Sequence, residues 1–178
     1  MNRSPLLVNV APLRRRVGSR RREQRTARLA GLAVIGSRVR EGEEVAVDVL
    51  LESVHHGILA SGTVSAGWEA ECRRCLGPAR GQLTVAVREL YEETPRADAG
   101  DDDTYPLTGD QLDLAPLARD AVLLELPLAP LCTEACLGLC PTCGANRNEQ
   151  RCSCEAPRDE RWAALEVLRG GGPGRPAE

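Results

Sequence analysis

Apolar residues alternate with polar ones along two neighbouring stretches of the chain. In residues 44–54, Val45, Val47, Val49 and Leu51 fall on one face of an extended segment, the period-two pattern of a half-buried strand. Residues 58–71 carry the pattern on with Ile58, Val64 and Trp68, and His55-His56-Gly57 supplies a turn between them, so the two stretches read as a β-hairpin. Residues 82–91 predict a further strand, with Leu83, Val85 and Val87 on one face. A short strand is expected over residues 5–11, ended by Pro12. After Asp113, a candidate N-cap, the period lengthens: Leu114, Leu117, Ala118, Ala121, Val122 and Leu124 form a helical stripe that runs up to Pro127. A last helix is expected after Asp159, with Trp162, Leu165 and Leu168 on one face and Gly170 as its stop. There is no internal repeat.

The core these elements share is built without Phe, and with only two Trp and two Tyr among 178 residues. Burial therefore falls to Val, Leu, Ala and Ile. No apolar run approaches the roughly 18 residues a membrane span needs. The N-terminus lacks the apolar stretch and cleavage site of a secretory signal, so a cytoplasmic protein is expected. The net charge of −3 conceals a strong polarity. Residues 1–40 carry eleven Arg against the single acid Glu23, a net of +10, whereas the remainder carries twelve Arg against 25 acids, a net of −13. Every basic residue is Arg. The run Arg14, Arg15, Arg16, Arg20, Arg21, Arg22, Arg25 and Arg28 has no sustained apolar stripe and reads as a flexible segment suited to a polyanion. Residues 92–103 read as a solvated acidic loop without the spacing of a calcium-binding loop.

Eight cysteines change the picture most. Nothing directs the chain to an oxidising compartment, so C-x-x-C spacings point to metal rather than disulfides. Cys140-Pro141-Thr142-Cys143-Gly144 is a knuckle sequence, in which two sulfurs converge on one ion while backbone N–H groups point at them. With Cys152 and Cys154 it makes a local set of four thiolates. Cys72, Cys75, Cys132 and Cys136 remain for a second set, which would tie the turn between two strands to the C-terminal segment. One or two structural Zn2+ ions are expected, and spacing alone leaves iron open. Neither knuckle has the strand-then-helix setting of a thioredoxin-like redox pair. His55 and His56 are adjacent in a turn and so make poor joint ligands. With no nucleophile elbow, and no phosphate-binding loop possible without Lys, no catalytic residue is assigned and no enzyme is expected. The fold class that follows is α+β: a mainly antiparallel sheet from residues 44–91, a helix near 114–126, one or two short helices in all, and a cysteine-rich, zinc-stabilised C-terminal lobe. The expected organisation is an Arg-rich segment 1–40, a β-rich core 41–131, a zinc-binding lobe and helix 132–169, and a disordered tail 170–178.

Around the cysteines the chain resembles a known family, the bacterial large ribosomal RNA subunit accumulation proteins, YceD. The resemblance is carried by Glu71-Cys72-Arg73-Arg74-Cys75-Leu76-Gly77-Pro78, by Leu112-Asp113-Leu114, and by Leu126-Pro127-Leu128-Ala129-Pro130-Leu131-Cys132. It continues through Cys136-Leu137-Gly138-Leu139-Cys140-Pro141-Thr142-Cys143-Gly144-Ala145-Asn146. These segments fit, in order, a domain over roughly residues 44–169. The extended cysteine set resembles the Gram-positive and actinobacterial branch, whereas other members keep only the first pair. The resemblance implies a cytoplasmic factor needed for accumulation of large-subunit ribosomal RNA, with no known enzymatic activity.

The expectation drawn from residues and resemblance together is a non-enzymatic factor supporting ribosome assembly by binding RNA or a pre-ribosomal particle. The eight arginines above, with Arg73 and Arg74 in the first knuckle, are the candidate phosphate contacts. The scarcity of aromatics argues against base stacking as the main mode. The competing expectation is an acidic interaction module that binds a basic ribosomal protein, with loop 92–103 as its contact. A zinc-ribbon transcription regulator ranks third, without helix-turn-helix or finger spacing to support it. No membrane or small-molecule partner is expected.

Overall fold

The computed structural model describes residues 4–93, 104–155 and 160–165. In chain order the elements are β1 (Leu7–Asn9), the single turn α1 (Ala11–Arg14), β2 (Arg20–Ala27), β3 (Ala33–Val34), β4 (Ser37–Arg38), β5 (Val45–Val54) and β6 (Gly57–Glu71). These are followed by β7 (Pro78–Glu92), β8 (Tyr105–Pro106), β9 (Gln111–Asp113), the helix α2 (Ala115–Glu125) and a 3-10 helix, Glu160–Leu165. The alternating valines form strands because alternate positions need only one dry face. Val45, Val47, Val49 and Leu51 are all at most 1% exposed, as are Ile58, Ala60 and Val64 opposite them. Each such burial contributes on the order of 1.5–3 kcal/mol for a Val, Leu or Ile side chain.

β6 is the central strand of a seven-stranded, mostly antiparallel sheet. Along one edge it pairs with β7 over Ile58–Glu71. Along the other it pairs with β5, then with the short β4 at Glu69 and Ala70. Gly62 permits the closeness of β5: a Cβ there would lie 2.1 Å from the Asp48 carbonyl oxygen. β7 starts at Pro78, four residues before the predicted start, because β6 continues to Glu71 and offers it partners along the whole length. Gly81 does not interrupt it, since the Trp68 ring from the neighbouring strand covers that position. β1 and β9 form a separate two-stranded ribbon, and Leu6, Val8, Leu112 and Leu114 join the same core.

α2 packs on β6 and β7 through Leu117, Ala118, Ala121 and Val122. Asp113 works one residue outside the cap, its carboxylate accepting from Ala115 N–H at 2.9 Å and from the Ser4 hydroxyl at 2.6 Å. Leu124, expected on the buried stripe, is 88% exposed. The chain leaves the helix at Leu126, whose extended backbone carries that side chain into the core instead.

The main correction concerns the arginine run. Read as flexible, its stretch from Arg20 to Ala27 forms β2 and pairs with β5 over eight residues, Arg20↔Glu52 to Ala27↔Val45, while Arg14 closes α1. Cross-strand charge explains how so polar a stretch joins the sheet: Arg20 bonds Glu52 at 2.8 Å and Arg22 bonds Asp48 at 2.6 Å. The alternate positions Arg21, Glu23 and Arg25 stand opposite Leu51, Val49 and Val47, so they share the core face of the sheet. Arg21 and Arg25 both pair with Glu23 there. Charges turned inward on an edge strand discourage a further strand from adding. Of the acidic loop, Glu92 belongs to β7 and is buried. Residues 94–103, the cap position Asp159, Leu168 and the tail lie outside the described residues.

Candidate metal centres

The turn between β6 and β7 is a knuckle. Cys72 N–H donates to Gly77 O at 2.7 Å, and Leu76 N–H donates to Cys72 O at 2.9 Å. The second knuckle repeats this wiring residue for residue, with Cys140 N–H to Ala145 O at 2.8 Å and Gly144 N–H to Cys140 O at 2.9 Å. The fifth position of such a turn needs positive φ. Gly144 takes it at φ 73 without cost, whereas Leu76 takes it at φ 59.

Four sulfurs gather at each knuckle. Cys72, Cys75, Cys132 and Cys136 form one set and Cys140, Cys143, Cys152 and Cys154 the other, each with all Sγ atoms within 4.8 Å of one another. In the first set Cys72 Sγ lies 3.7 Å from Cys136 Sγ, and Cys75 Sγ lies 3.6 Å from Cys132 Sγ. A tetrahedron of thiolates about 2.3 Å from a zinc ion has edges of about 3.8 Å, so the spacing fits the ion and is far too long for disulfides. Among the described residues no other group of three or more His, Cys, Asp or Glu side chains converges in this way.

The two sets differ in their surroundings. Cys72, Cys75 and Cys136 are buried and pack with Ala79, Trp68 and Leu131, a small apolar cluster beside the main core. The strap of residues 130–139 reaches the knuckle through backbone bonds, from Arg73 N–H to Pro130 O at 2.9 Å and from Leu139 N–H to Arg74 O at 3.0 Å. Arg74 adds a guanidinium bond to Cys136 O at 2.9 Å. Gly138 (φ 72) lies so close that a Cβ would sit 3.0 Å from Arg74 O. In the second set Cys143 and Cys154 are exposed, and all four ligands come from a stretch of fifteen residues.

Backbone dipoles prepare one thiolate in each set. The N–H of Cys75, aided by those of Cys132 and Arg74, lowers the Cys72 thiol to about 6 despite its burial. The N–H groups of Cys143 and Thr142 lower Cys140 to about 6. Cys75 receives Gly77 N–H, yet burial and the surrounding thiols push it up to about 12. Cys143 and burial push Cys154 up to about 12. Four adjacent thiols cannot all ionise by themselves, so a cation that binds four thiolates must displace protons.

The candidate phosphate contacts are dispersed. Arg14, Arg20, Arg21, Arg22 and Arg25 are engaged in ion pairs within the chain, Arg14 with Glu93 and Asp110. Arg15, Arg16 and Arg28 are exposed and make no ion pair among the described residues. Arg73 is exposed on the first knuckle, and Arg74 is spent on holding the strap. His55 and His56 flank a hollow of about 390 Å3 with Arg14, Glu92 and Glu93. Two features escaped sequence reasoning. Glu69 is clamped by Arg38 at 3.1 Å and Arg40 at 2.9 Å, a contact visible only once β4 is paired with β6. Asn148 donates to Cys136 Sγ at 3.3 Å; the only hint was a spacer between Cys143 and Cys152 rich in side-chain amides.

No solved structure matches the chain. An uncharacterised protein of Mycobacterium tuberculosis (strain ATCC 25618 / H37Rv) is 36% identical over 174 residues, covering 94% of this chain and 83% of the relative. One of Mycobacterium leprae (strain TN) is 33% identical over 149 residues, covering 80% of this chain and 68% of the relative. The chloroplastic large ribosomal RNA subunit accumulation protein YCED homolog 1 of Arabidopsis thaliana is 35% identical over 66 residues, 36% of this chain and 21% of its own length. The family model described as large ribosomal RNA subunit accumulation protein YceD matches residues 60–169, a span from β6 through both cysteine sets, and on that match the chain belongs to the YceD family.

Proposed function

We propose that this protein is a non-enzymatic cytoplasmic factor that supports accumulation of large-subunit ribosomal RNA and ribosome assembly, acting on RNA or a pre-ribosomal particle. The observation that carries the reading is the family match, which covers most of the sheet's central strand and all eight cysteines. The two cysteine sets hold one Zn2+ each and brace the lobe structurally; with four thiolates apiece they leave no open position for substrate. Exposed Arg15, Arg16, Arg28 and Arg73 make the first phosphate contacts. The ion-paired arginines of β2 join them at little cost, since exposed pairs are worth at most about 1 kcal/mol.

The test is crosslinking in the source cells, followed by sequencing of the attached RNA and mass spectrometry of attached protein. Deleting residues 13–28 would remove the whole of β2 (Arg20–Ala27), so the informative variant is Arg15→Glu with Arg16→Glu and Arg28→Glu. Footprints on large-subunit ribosomal RNA that vanish in this variant support the reading. In vitro, log K for single-stranded RNA should fall by about 0.7 per contact per log unit of salt. Affinity indifferent to salt would remove the arginines from the account.

The internal pairing of five of the eight arginines favours a second reading. In it the acidic body beyond residue 40, with a net charge of −13, binds a basic ribosomal protein and shields it until it meets RNA. Crosslinks to such a protein without any RNA footprint would favour this alternative.

A further inference from the structure

The two cysteine sets are not independent. The chain between Cys143 and Cys152, both ligands of the second set, folds back over the first. Asn148 is its contact: Nδ2–H donates to Cys136 Sγ at 3.3 Å, and Oδ1 accepts Leu137 N–H at 2.8 Å. Asn146 orients it, its Oδ1 accepting Asn148 N–H at 3.1 Å and Asn148 Nδ2–H at 2.8 Å. Arg147 N–H reaches Gly138 O at 2.9 Å, and Leu139 bridges Asn146. None of residues 144–150 is buried. The loop is therefore placed by these bonds and by closure of its two ends, not by packing.

We propose that Asn148 couples the two metal sites, so that an ion in the second set presents the Asn148 N–H to a ligand of the first and tightens it. The proposal rests on the reading that both sets hold zinc. The physical chain is short. A metal that clamps Cys143 and Cys152 fixes both ends of an exposed loop, which removes most of the conformational entropy that would otherwise oppose the Asn148 bond. A donor on a metal-bound thiolate relieves its excess charge, and losing such an outer partner typically costs about 10–100-fold in metal affinity. Linkage makes the effect reciprocal: an ion in the first set tightens the second by the same factor. The lobe then forms over a narrow range of free zinc.

The experiment is a zinc titration of the reduced full chain against a competing chelator, with native mass spectrometry counting ions bound. Three changes are compared: Cys143→Ser with Cys154→Ser, which disables the second set; Asn148→Asp, which keeps the acceptor for Leu137 N–H but loses the donor and should weaken the first set at least as much as Asn148→Ala; and Asn148→Ala, which removes donor and acceptor without adding charge. The full chain should load two ions with little singly loaded species. Disabling the second set should weaken the first about tenfold or more. Asn148→Ala should weaken the first set similarly in the full chain, yet change nothing further once the second set is disabled. With Co2+ as the probe, Asn148→Ala should also move the thiolate charge-transfer band of the first set, which a change in loop stability alone would not do. Equal effects of Asn148→Ala in both backgrounds, or none in either, overturn the coupling while leaving the zinc reading intact. A wild-type chain that binds no zinc overturns both.

Discussion

Leu76 and Gly144 occupy the same place in two identically bonded turns, and only one of them is glycine. An L-residue in the left-handed region costs roughly 1–2 kcal/mol, and the Leu76 side chain is 63% exposed, so burial recovers little of it. Glycine loses about 0.4–1 kcal/mol of that gain through a freer unfolded chain. Leu76→Gly is therefore expected to leave stability unchanged or raise it by up to about 1 kcal/mol, while β-branched Leu76→Val lowers it; denaturation midpoints of the zinc-loaded chain check both. A clear loss in Leu76→Gly would mean that the side chain has a partner. Asp48 offers a second reading at this scale. Bonds from Arg22, then Gln24, hold its carboxyl at about 2, below the ordinary 3.8. A carboxyl lowered on folding adds stability above its unfolded value, and that stability is lost as pH falls from about 4 through 2. NMR titration should place Asp48 near 2 and show it moving back up in Arg22→Gln; an unmoved value would remove the ion pair as the cause.

Elements decide which residues act together. β2 is held to β5 by Glu52 opposite Arg20 and by Asp48 diagonal to Arg22, a pairing that no local pattern in residues 14–28 announces. The first cysteine set likewise joins elements, with two ligands in the β6–β7 turn and two in the strap after α2, whereas the second is local. Cys72→Ser and Cys140→Ser should therefore differ. Trp68 packs against the first set, and Trp162 is 62% exposed and supplies a steady background. At saturating zinc, Cys72→Ser should shift tryptophan emission to the red and free the strap to proteases. Cys140→Ser should lose one zinc and open residues 140–154 while Trp68 emission stays near wild type. Identical spectra for the two variants would mean that Trp68 does not sense the first set.

At the scale of the molecule, the main core and the lobe have separate sources of stability. The sheet, α2 and the β1–β9 ribbon bury an apolar cluster of their own, whereas the lobe sets its two cysteine groups beside only a small apolar cluster, so its order is expected to depend on metal. A structural zinc can supply on the order of 10 kcal/mol to such a segment. Chelation of zinc should leave amide protection in β5, β6 and β7 and abolish it in residues 130–155. Acidification should do the same, because a metal must displace the protons of every thiol it binds and that competition grows as pH falls. Hydrogen exchange checks both, and loss of protection in β6 together with the lobe would refute the division. How much of this was legible follows from how local each cause is. The alternating valines, the helix after Asp113 and the C-x-x-C knuckles are written in neighbouring residues, and from them the sequence by itself determined the α+β class and the cysteine chemistry. The strand made of arginines, the clamp on Glu69 and the bond from Asn148 to Cys136 join residues that are 12 to 32 apart in the chain. Tertiary structure alone decided those, because a charge or an amide declares no partner until the fold brings one within hydrogen-bond reach.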